Sequence, residues 1–266
     1  MSLCRHKKNE QLLQTLNFYF QLTPIFPVSM RFRPRNHRDD NPEVFAQLVK
    51  TNPYMARIYD YPELLIPHPS PENFQQLCDS KKGNIPASSG KVHLEIGCGS
   101  GRYLIEWALK NPQDFFIGLE LRYKRLVLAA KKMEQQNVPN ILLLRERGEF
   151  LHEYLPNNSM DCMHINFPDP WSKKSRRKNR ILSAEFLKRM RPLFHSKGEL
   201  LFKTDHLEYF ETVTEILQQL KTFKIVEHTS DLHSSEYNEH NILTEFEMLF
   251  KSKGNPPIGF LRAEVI

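Results

Sequence analysis

No run of apolar residues in this chain of 266 approaches the ~18 that a membrane-spanning helix needs, which excludes a helical transmembrane protein. Cysteine is scarce. Cys4, Cys78, Cys98 and Cys162 stand apart with no C-x-x-C pair, which argues against a structural zinc site and a disulfide scaffold and fits a reducing cytoplasm. Internal repeats and low-complexity tracts are missing as well, and no H-E-x-x-H or similar spacing marks a metal site. His93 and His164 fall within apolar runs and read as structural, while His228, His233 and His240 have no ligand spacing. What is present suffices for a core: 40% hydrophobic and 11% aromatic residues.

Charge is uneven along the chain. The net charge is +6, yet the first 38 residues hold seven basic residues against Glu10 alone. Six more cations (Lys173, Lys174, Arg176, Arg177, Lys178 and Arg180) crowd into eight positions, so the remainder is net acidic. Two basic segments on an acidic body point to a polyanionic partner, nucleic acid before an anionic membrane surface. One such cluster alone would read as a solvated loop.

Residues 1–40 form a basic arm, expected to be flexible. Gln14, Asn17, Gln21 and Pro24 interrupt its apolar stretch and no small-residue cleavage site follows, so a signal peptide is not expected. Met30-Arg31-Phe32-Arg33 reads like a natural start, which makes 1–29 a candidate over-called extension. Residues 41–90 form a helical segment and linker. Asn41-Pro42 and Ser70-Pro71 are helix-starting pairs, Pro62, Pro67 and Pro69 oppose regular structure, and the stretch 83–90 is Gly/Ser-rich.

From residue 91 short apolar runs alternate with helical periods. Strands are expected at 92–96, 115–119, 141–144, 162–165 and 199–203, and helices at 103–110, 122–136, 148–154, 182–190 and 207–220. In 122–136 Leu126, Ala129, Ala130 and Met133 follow the helical i, i+3, i+4, i+7 spacing. Strands at 224–227 and 245–250 close the pattern, the last pair suggesting an antiparallel edge. The alternation predicts an α/β fold with a parallel sheet and helices on both faces.

Three groups of residues carry chemistry. Glu95-Ile96-Gly97-Cys98-Gly99-Ser100-Gly101 follows the strand at 92–96 and opens the next helix, where glycines permit a tight turn and close ligand approach. A dinucleotide fingerprint would place its third glycine at 102, where Arg stands, so a pyrophosphate cradle is disfavoured. Glu120, 19 residues past Gly101, is placed to accept ribose hydroxyls. An adenosine ligand that carries positive charge and no phosphate fits both, and S-adenosylmethionine has that chemistry. Lastly, Asn166-Phe167-Pro168-Asp169-Pro170-Trp171 ends the strand at 162–165, and its two prolines fix the direction of the Asp169 carboxylate. A plain Pro-rich turn would explain the prolines but not a Trp and six cations beside them.

Together LEIGCGSG at 94–101, GLE at 118–120, FPDPWSKK at 167–174, KTD at 203–205 and TEFE at 244–247 resemble the tRNA (guanine-N7)-methyltransferase family. The resemblance runs from about Met30 to the C-terminus, with Glu146 where Asp or Asn is usual. It implies a Rossmann-like class I methyltransferase fold: a mostly parallel seven-stranded sheet with an antiparallel edge strand and helices on both faces, in a methyltransferase domain over 91–266. It implies that Glu95, Gly97, Gly99, Gly101, Glu120 and Glu146 hold S-adenosylmethionine and that Asp169 is the catalytic acid. By the same resemblance Lys173, Asp205, Thr244, Glu245, Phe246 and Glu247 hold the substrate guanine.

The implied reaction is methylation of N7 of guanine 46 in the tRNA variable loop, by a cytoplasmic monomer or homodimer without metal or membrane. Lys174, Arg176, Arg177, Lys178 and Arg180 are expected on the RNA backbone. His206, next to Asp205, is a further candidate for lining the site, and Phe246 is expected in the core, on an alternating strand. Three other readings are open: methylation of another RNA base, a non-catalytic RNA-binding protein on a relic cofactor fold, and a nicotinamide oxidoreductase, the last disfavoured by Arg102.

Overall fold

The computed structural model describes residues 42–82, 90–251, 254 and 256–266. The expectations for residues 1–40 and for most of the 83–90 linker lie outside these. The chain divides into two compact units, Met1–Ala56 and Arg57–Ile266. The first carries helix α1 (Pro42–Thr51), which starts at the predicted proline.

The second unit is built on one eight-stranded sheet. Its strands are β1 (Leu65–Ile66), β2 (Val92–Ile96), β3 (Phe115–Leu119), β4 (Ile141–Leu144), β5 (Met160–Asn166), β6 (Phe194–Thr204), β7 (Phe223–Thr229) and β8 (Gly259–Val265). They lie in the order β1-β4-β3-β2-β5-β6-β8-β7. The six strands from β1 to β6 in that order pair in parallel, and β8 runs antiparallel to both its neighbours. The intervening helices are α2 (Pro71–Lys82), α3 (Arg102–Lys110), α4 (Tyr123–Gln135), α5 (Ala184–Met190), α6 (Leu207–Leu220) and α7 (Glu245–Lys251).

The parallel core follows from the sequence because each strand is a short buried run followed by an amphipathic helix. On one face Phe115, Ile117, Leu119, Met163, Ile165 and Phe202 pack with Phe74, Phe186, Leu187 and Val213 from α2, α5 and α6. On the other, Gly118 lies against Leu104 of α3, so tightly that a Cβ would sit 2.7 Å from it. In α4 the predicted Leu126, Ala129, Ala130 and Met133 are all buried.

Three details differ from the sequence expectation. The sheet has eight strands, not seven, because Leu65–Ile66 finds room between Pro62 and Pro67 to pair with β4. The antiparallel strand is β8, inserted one place in from the edge. Its Arg262 reaches Glu199 on β6 and Glu227 on β7, which secures the insertion. Finally, Glu245–Lys251 is a helix. Thr244 Oγ1 accepts the Glu247 N–H at 3.1 Å while Glu247 Oε2 accepts the Thr244 N–H at 2.8 Å, a reciprocal capping box that outweighs the local alternation.

Candidate active site

In an open parallel sheet, ligands collect beyond the carboxyl ends of the central strands. Here β2 ends at Ile96 and turns through Gly97, Gly99 and Gly101, at φ of 80°, 58° and 81°. Such values favour glycine at all three positions. The N–H groups of Gly97 and Cys98 both donate to Leu119 O, at 2.8 and 2.9 Å, which clamps the turn to the end of β3. A Cβ on Gly97 would meet nothing within 4 Å, so open space lies over the first glycine.

Glu95 closes the floor of this space. It is only 3% exposed, and its Oε1 accepts Asn166 Nδ2 at 3.0 Å. Its Oε2 is buried with no hydrogen-bond partner. Burial pushes its pKa up to about 7. A buried carboxylate oxygen without a partner is costly unless a donor is brought to it, and an ammonium-bearing ligand would satisfy it.

Glu120 stands at the end of β3, half-buried, with Oε1 accepting the N–H groups of Leu121 and Arg122 at 2.7 and 3.0 Å. That oxygen holds the turn leading into α4. Glu146 follows β4 and is buried, with Oε1 accepting the Arg147 N–H at 2.8 Å and Oε2 accepting Tyr154 Oη at 2.7 Å. Both of its oxygens already have protein donors.

β5 runs parallel to β2 and carries the third group. Asn166 ties its end to Glu95. The chain then passes through Phe167 and Trp171, both in the left-handed region at φ of 48° and 43°. Neither is a residue type that adopts this conformation readily. Between them the exposed Asp169 accepts the Trp171 N–H at 2.9 Å on Oδ1. The FPDPW segment is thus a sharply folded loop whose carboxylate has a fixed direction.

The cationic stretch separates into two parts. Lys173, Lys174, Arg176 and Lys178 are exposed and make no ion pair among the described residues, and Arg177 meets Glu208 at 3.0 Å. Arg180 departs from its expected place on RNA. It is buried, donates from Nε to Pro170 O at 2.8 Å, pairs with Glu208 at 2.6 Å and lies 4.5 Å over the Tyr209 ring. Its charge braces the FPDPW loop from inside and is not available to phosphate.

The TEFE segment is likewise more structural than its sequence suggests. Thr244 and Glu247 form the cap of α7, and Glu247 is fully buried against Lys203 at 3.3 Å. Lys203 also donates to Asn241 and to Ile242 O. Glu245 points the other way. Its carboxylate accepts Ser100 Oγ in the glycine turn, Lys132 Nζ at 3.0 Å and Arg125 Nη1 at 3.1 Å. Sequence reading missed Ser100, Arg125 and Lys132, although two cations seven residues apart on one helix face were a usable signal.

Phe246 was expected in the core. It is 45% exposed on α7, because the helix turns it outward, and it stacks on Phe167 with ring centroids 5.7 Å apart. Asp205 is exposed after β6. His206 caps α6 and lies 3.4 Å from Ser172 Oγ, which brings it beside the loop that carries Asp169.

A glycine turn with an orphaned buried carboxylate, on this sheet order, defines a class I methyltransferase. The family described as "Putative methyltransferase" matches residues 89–259. The tRNA (guanine-N(7)-)-methyltransferase of Enterococcus faecalis is 36% identical over 202 residues, covering 76% of this chain and 89% of that protein. That of Mycoplasma pneumoniae is 38% identical over 169 residues, covering 62% and 80%.

A bifunctional glycosyltransferase/methyltransferase of Fusobacterium nucleatum is 42% identical over 215 residues, 81% of this chain, which spans only 33% of that longer protein. The solved structure of an antibiotic-related methyltransferase superposes with a TM-score of 0.51 at 18% identity, covering 75% of this chain and 95% of its own, and shares the fold. The chain belongs to the tRNA (guanine-N7)-methyltransferase family.

Proposed function

We propose that this chain transfers a methyl group from S-adenosylmethionine to N7 of a guanine in tRNA, at position 46 of the variable loop. The observation that carries the reading is the Asn166–Glu95 hydrogen bond at 3.0 Å. It joins the glycine-turn pocket to the loop that presents Asp169. The names of the relatives supply the substrate class.

The cofactor supplies an electrophilic methyl on a sulfonium. In this reading Glu95 receives its cationic amino-acid end, the turn at Gly97, Gly99 and Gly101 lets it approach the backbone, and Glu120 offers its second oxygen to the ribose. Glu146 borders the base, with Tyr154 holding the carboxylate in place.

Guanine N7 carries a lone pair and no proton, so no general base is needed to expose the nucleophile. The protein's task is alignment, which can contribute about 7–11 kcal/mol to rate acceleration. Asp169 keeps one oxygen on the Trp171 N–H and offers the other to the guanine N1–H and amino group. Its negative charge also favours the purine as that ring becomes cationic. Lys173 and Asp205 flank the guanine, with Phe246 on the α7 side and Glu245 held by Ser100, Arg125 and Lys132, while Lys174, Arg176, Arg177 and Lys178 meet phosphates.

We assign the methyltransferase domain to 57–266, not to 91–266 as the sequence suggests, because β1 belongs to its sheet and Phe74 of α2 to its core. The protein is read as cytoplasmic, a monomer or homodimer. Among the described residues no helix is long and apolar enough to cross a membrane.

The test is incubation of the full chain with methyl-labelled S-adenosylmethionine and an unmodified tRNA transcript, then digestion to nucleosides. Label in 7-methylguanosine supports the reading. Label in another nucleoside, or none in RNA, overturns it.

A further inference from the structure

Alternation along β2 and β5 places His93 and Glu95 on the same sheet face as Cys162, His164 and Asn166. The pairing sets His93 beside Cys162 and Glu95 beside His164. Below the Glu95–Asn166 contact, toward the amino ends of the strands, lies a cluster the methyl-transfer site does not use. His93, Cys162 and His164 are each no more than 3% exposed. One donor atom from each lies within 4.8 Å of the other two.

The second nitrogen of each ring faces an oxygen, His93 Nε2 across an ion-pair distance without a formed hydrogen bond. His93 Nε2 lies 3.3 Å from Asp114 Oδ2, and His164 Nδ1 lies 3.0 Å from Tyr103 Oη. The remaining nitrogens, His93 Nδ1 and His164 Nε2, face each other at 3.0 Å beside the Cys162 thiol. Without a cation one proton sits between them, and when His164 Nε2 carries it the Tyr103 hydroxyl donates to His164 Nδ1. If that hydroxyl instead accepts the His164 Nδ1–H, and the Asp114 carboxylate keeps the proton on His93 Nε2, both inner nitrogens present lone pairs. Moving the His164 proton from Nε2 to Nδ1, with the Tyr103 hydroxyl turned to accept it, therefore converts a hydrogen-bonded chain into two aligned ligands. Carboxylate and hydroxyl partners on the outer nitrogens are what orient imidazoles toward a metal.

We propose that His93, Cys162 and His164 form a binding site for one divalent ion of the zinc class, with Asp114 and Tyr103 as positioning residues. Two imidazoles and a thiolate, formed as the ion displaces the Cys162 thiol proton by way of Glu199 to solvent, select such an ion over magnesium or calcium. Metal–nitrogen bonds of about 2.0–2.1 Å and a metal–sulfur bond of about 2.3 Å require adjustments on the order of 1 Å from the present spacing. The fourth position faces a cavity of about 390 Å³. Its lining includes the Trp107 indole, whose N–H is buried without a partner, and Glu199, which the Cys162 thiol reaches at 3.8 Å. A coordinated water there would have both a donor and an acceptor near it. The ion would join adjacent strands β2 and β5 under the residue pair that links the two halves of the active site. Spacing along the sequence could not show this, because the ligands come from strands 69 and 71 residues apart.

The test uses the untagged full chain, stripped with a chelator and titrated anaerobically with cobalt(II). The expected result is a thiolate-to-cobalt charge-transfer band and tetrahedral visible bands that saturate at one equivalent per chain, and that zinc then abolishes. Cys162→Ser should lose the charge-transfer band and His164→Asn the saturable visible bands, while Cys78→Ser retains both. Tyr103→Phe keeps all three ligands and should weaken cobalt binding by about 10- to 100-fold. It provides the reading if the ligand variants fail to fold, as judged by circular dichroism. A wild-type chain without the band at one equivalent, a band that persists in Cys162→Ser, or unchanged affinity in Tyr103→Phe would overturn the site.

Discussion

Replacing Glu95 by glutamine should stabilise the free protein while impairing cofactor binding, and the size of the gain should depend on pH. Burial moves the Glu95 pKa from 4.5 to about 7. Between those values the folded state holds a proton that the unfolded chain has released, so stability falls as pH rises through this window. Below 4.5 the penalty is absent, and above about 7 it is complete. The displacement corresponds to about 3 kcal/mol at pH 8, and no screening discount applies because Glu95 is only 3% exposed. A glutamine amide keeps an oxygen for Asn166 and carries no charge, so the variant escapes the penalty.

Urea denaturation of both proteins at pH 5, 6, 7 and 8, without cofactor, measures this directly. The difference should favour Glu95→Gln, grow by about 1.4 kcal/mol per pH unit up to about 7 and then level off. The wild-type pocket should also bind S-adenosylmethionine about tenfold more weakly at pH 6 than at pH 8, since about one molecule in ten is ionised at the lower pH. A Glu95→Gln protein that is equally or less stable at pH 8 would refute the claim that this carboxylate is held at a cost.

Further outcomes follow from the same geometry. Asp169→Ala and Asp169→Asn should each lose kcat/KM by on the order of 10²-fold while calorimetry still detects cofactor binding; near-normal turnover in either would remove Asp169 from the reaction. Replacing Lys173, Lys174 or Arg176 singly by Ala should lower the slope of log affinity for tRNA against log salt by about 1. Arg180→Ala should leave that slope unchanged and instead destabilise the fold by about 1–3 kcal/mol, because its hydrogen bonds brace the FPDPW loop. Thr244→Ala should cost about 1–2 kcal/mol in denaturant titration through loss of the α7 cap, and Thr244→Ser should restore most of it.

The parallel half of the sheet was legible because each strand is a compact apolar run between amphipathic helices, as in α4, where the predicted inward residues are buried. The glycine turn and the FPDPW loop were legible through their residue types: glycines reach the positive φ the turn needs, and prolines restrict the loop. The C-terminal part was less so. Thr244-Glu245-Phe246-Glu247 alternates like a strand, and only the reciprocal Thr244–Glu247 bonding makes it a helix.

Strand β8 went unrecognised because its register is set by partners more than 30 residues away, among them Glu199 and Glu227 for Arg262. Arg180 was misassigned on similar grounds. Composition groups it with five other cations, but Glu208 and the Tyr209 ring on α6 draw it inward. Charge runs report a partner only for those members that the fold leaves exposed.

The central claim is that the pocket beyond β2 and β5 directs a methyl group to a lone pair on guanine N7. The most direct measurement is methyl acceptance by a tRNA whose target guanine is replaced by 7-deazaguanine, which presents a C–H at that position and keeps the edge read by Asp169. The modified tRNA should compete with unmodified tRNA for binding and accept no label. Label transferred to it at the rate seen with guanine would contradict the account.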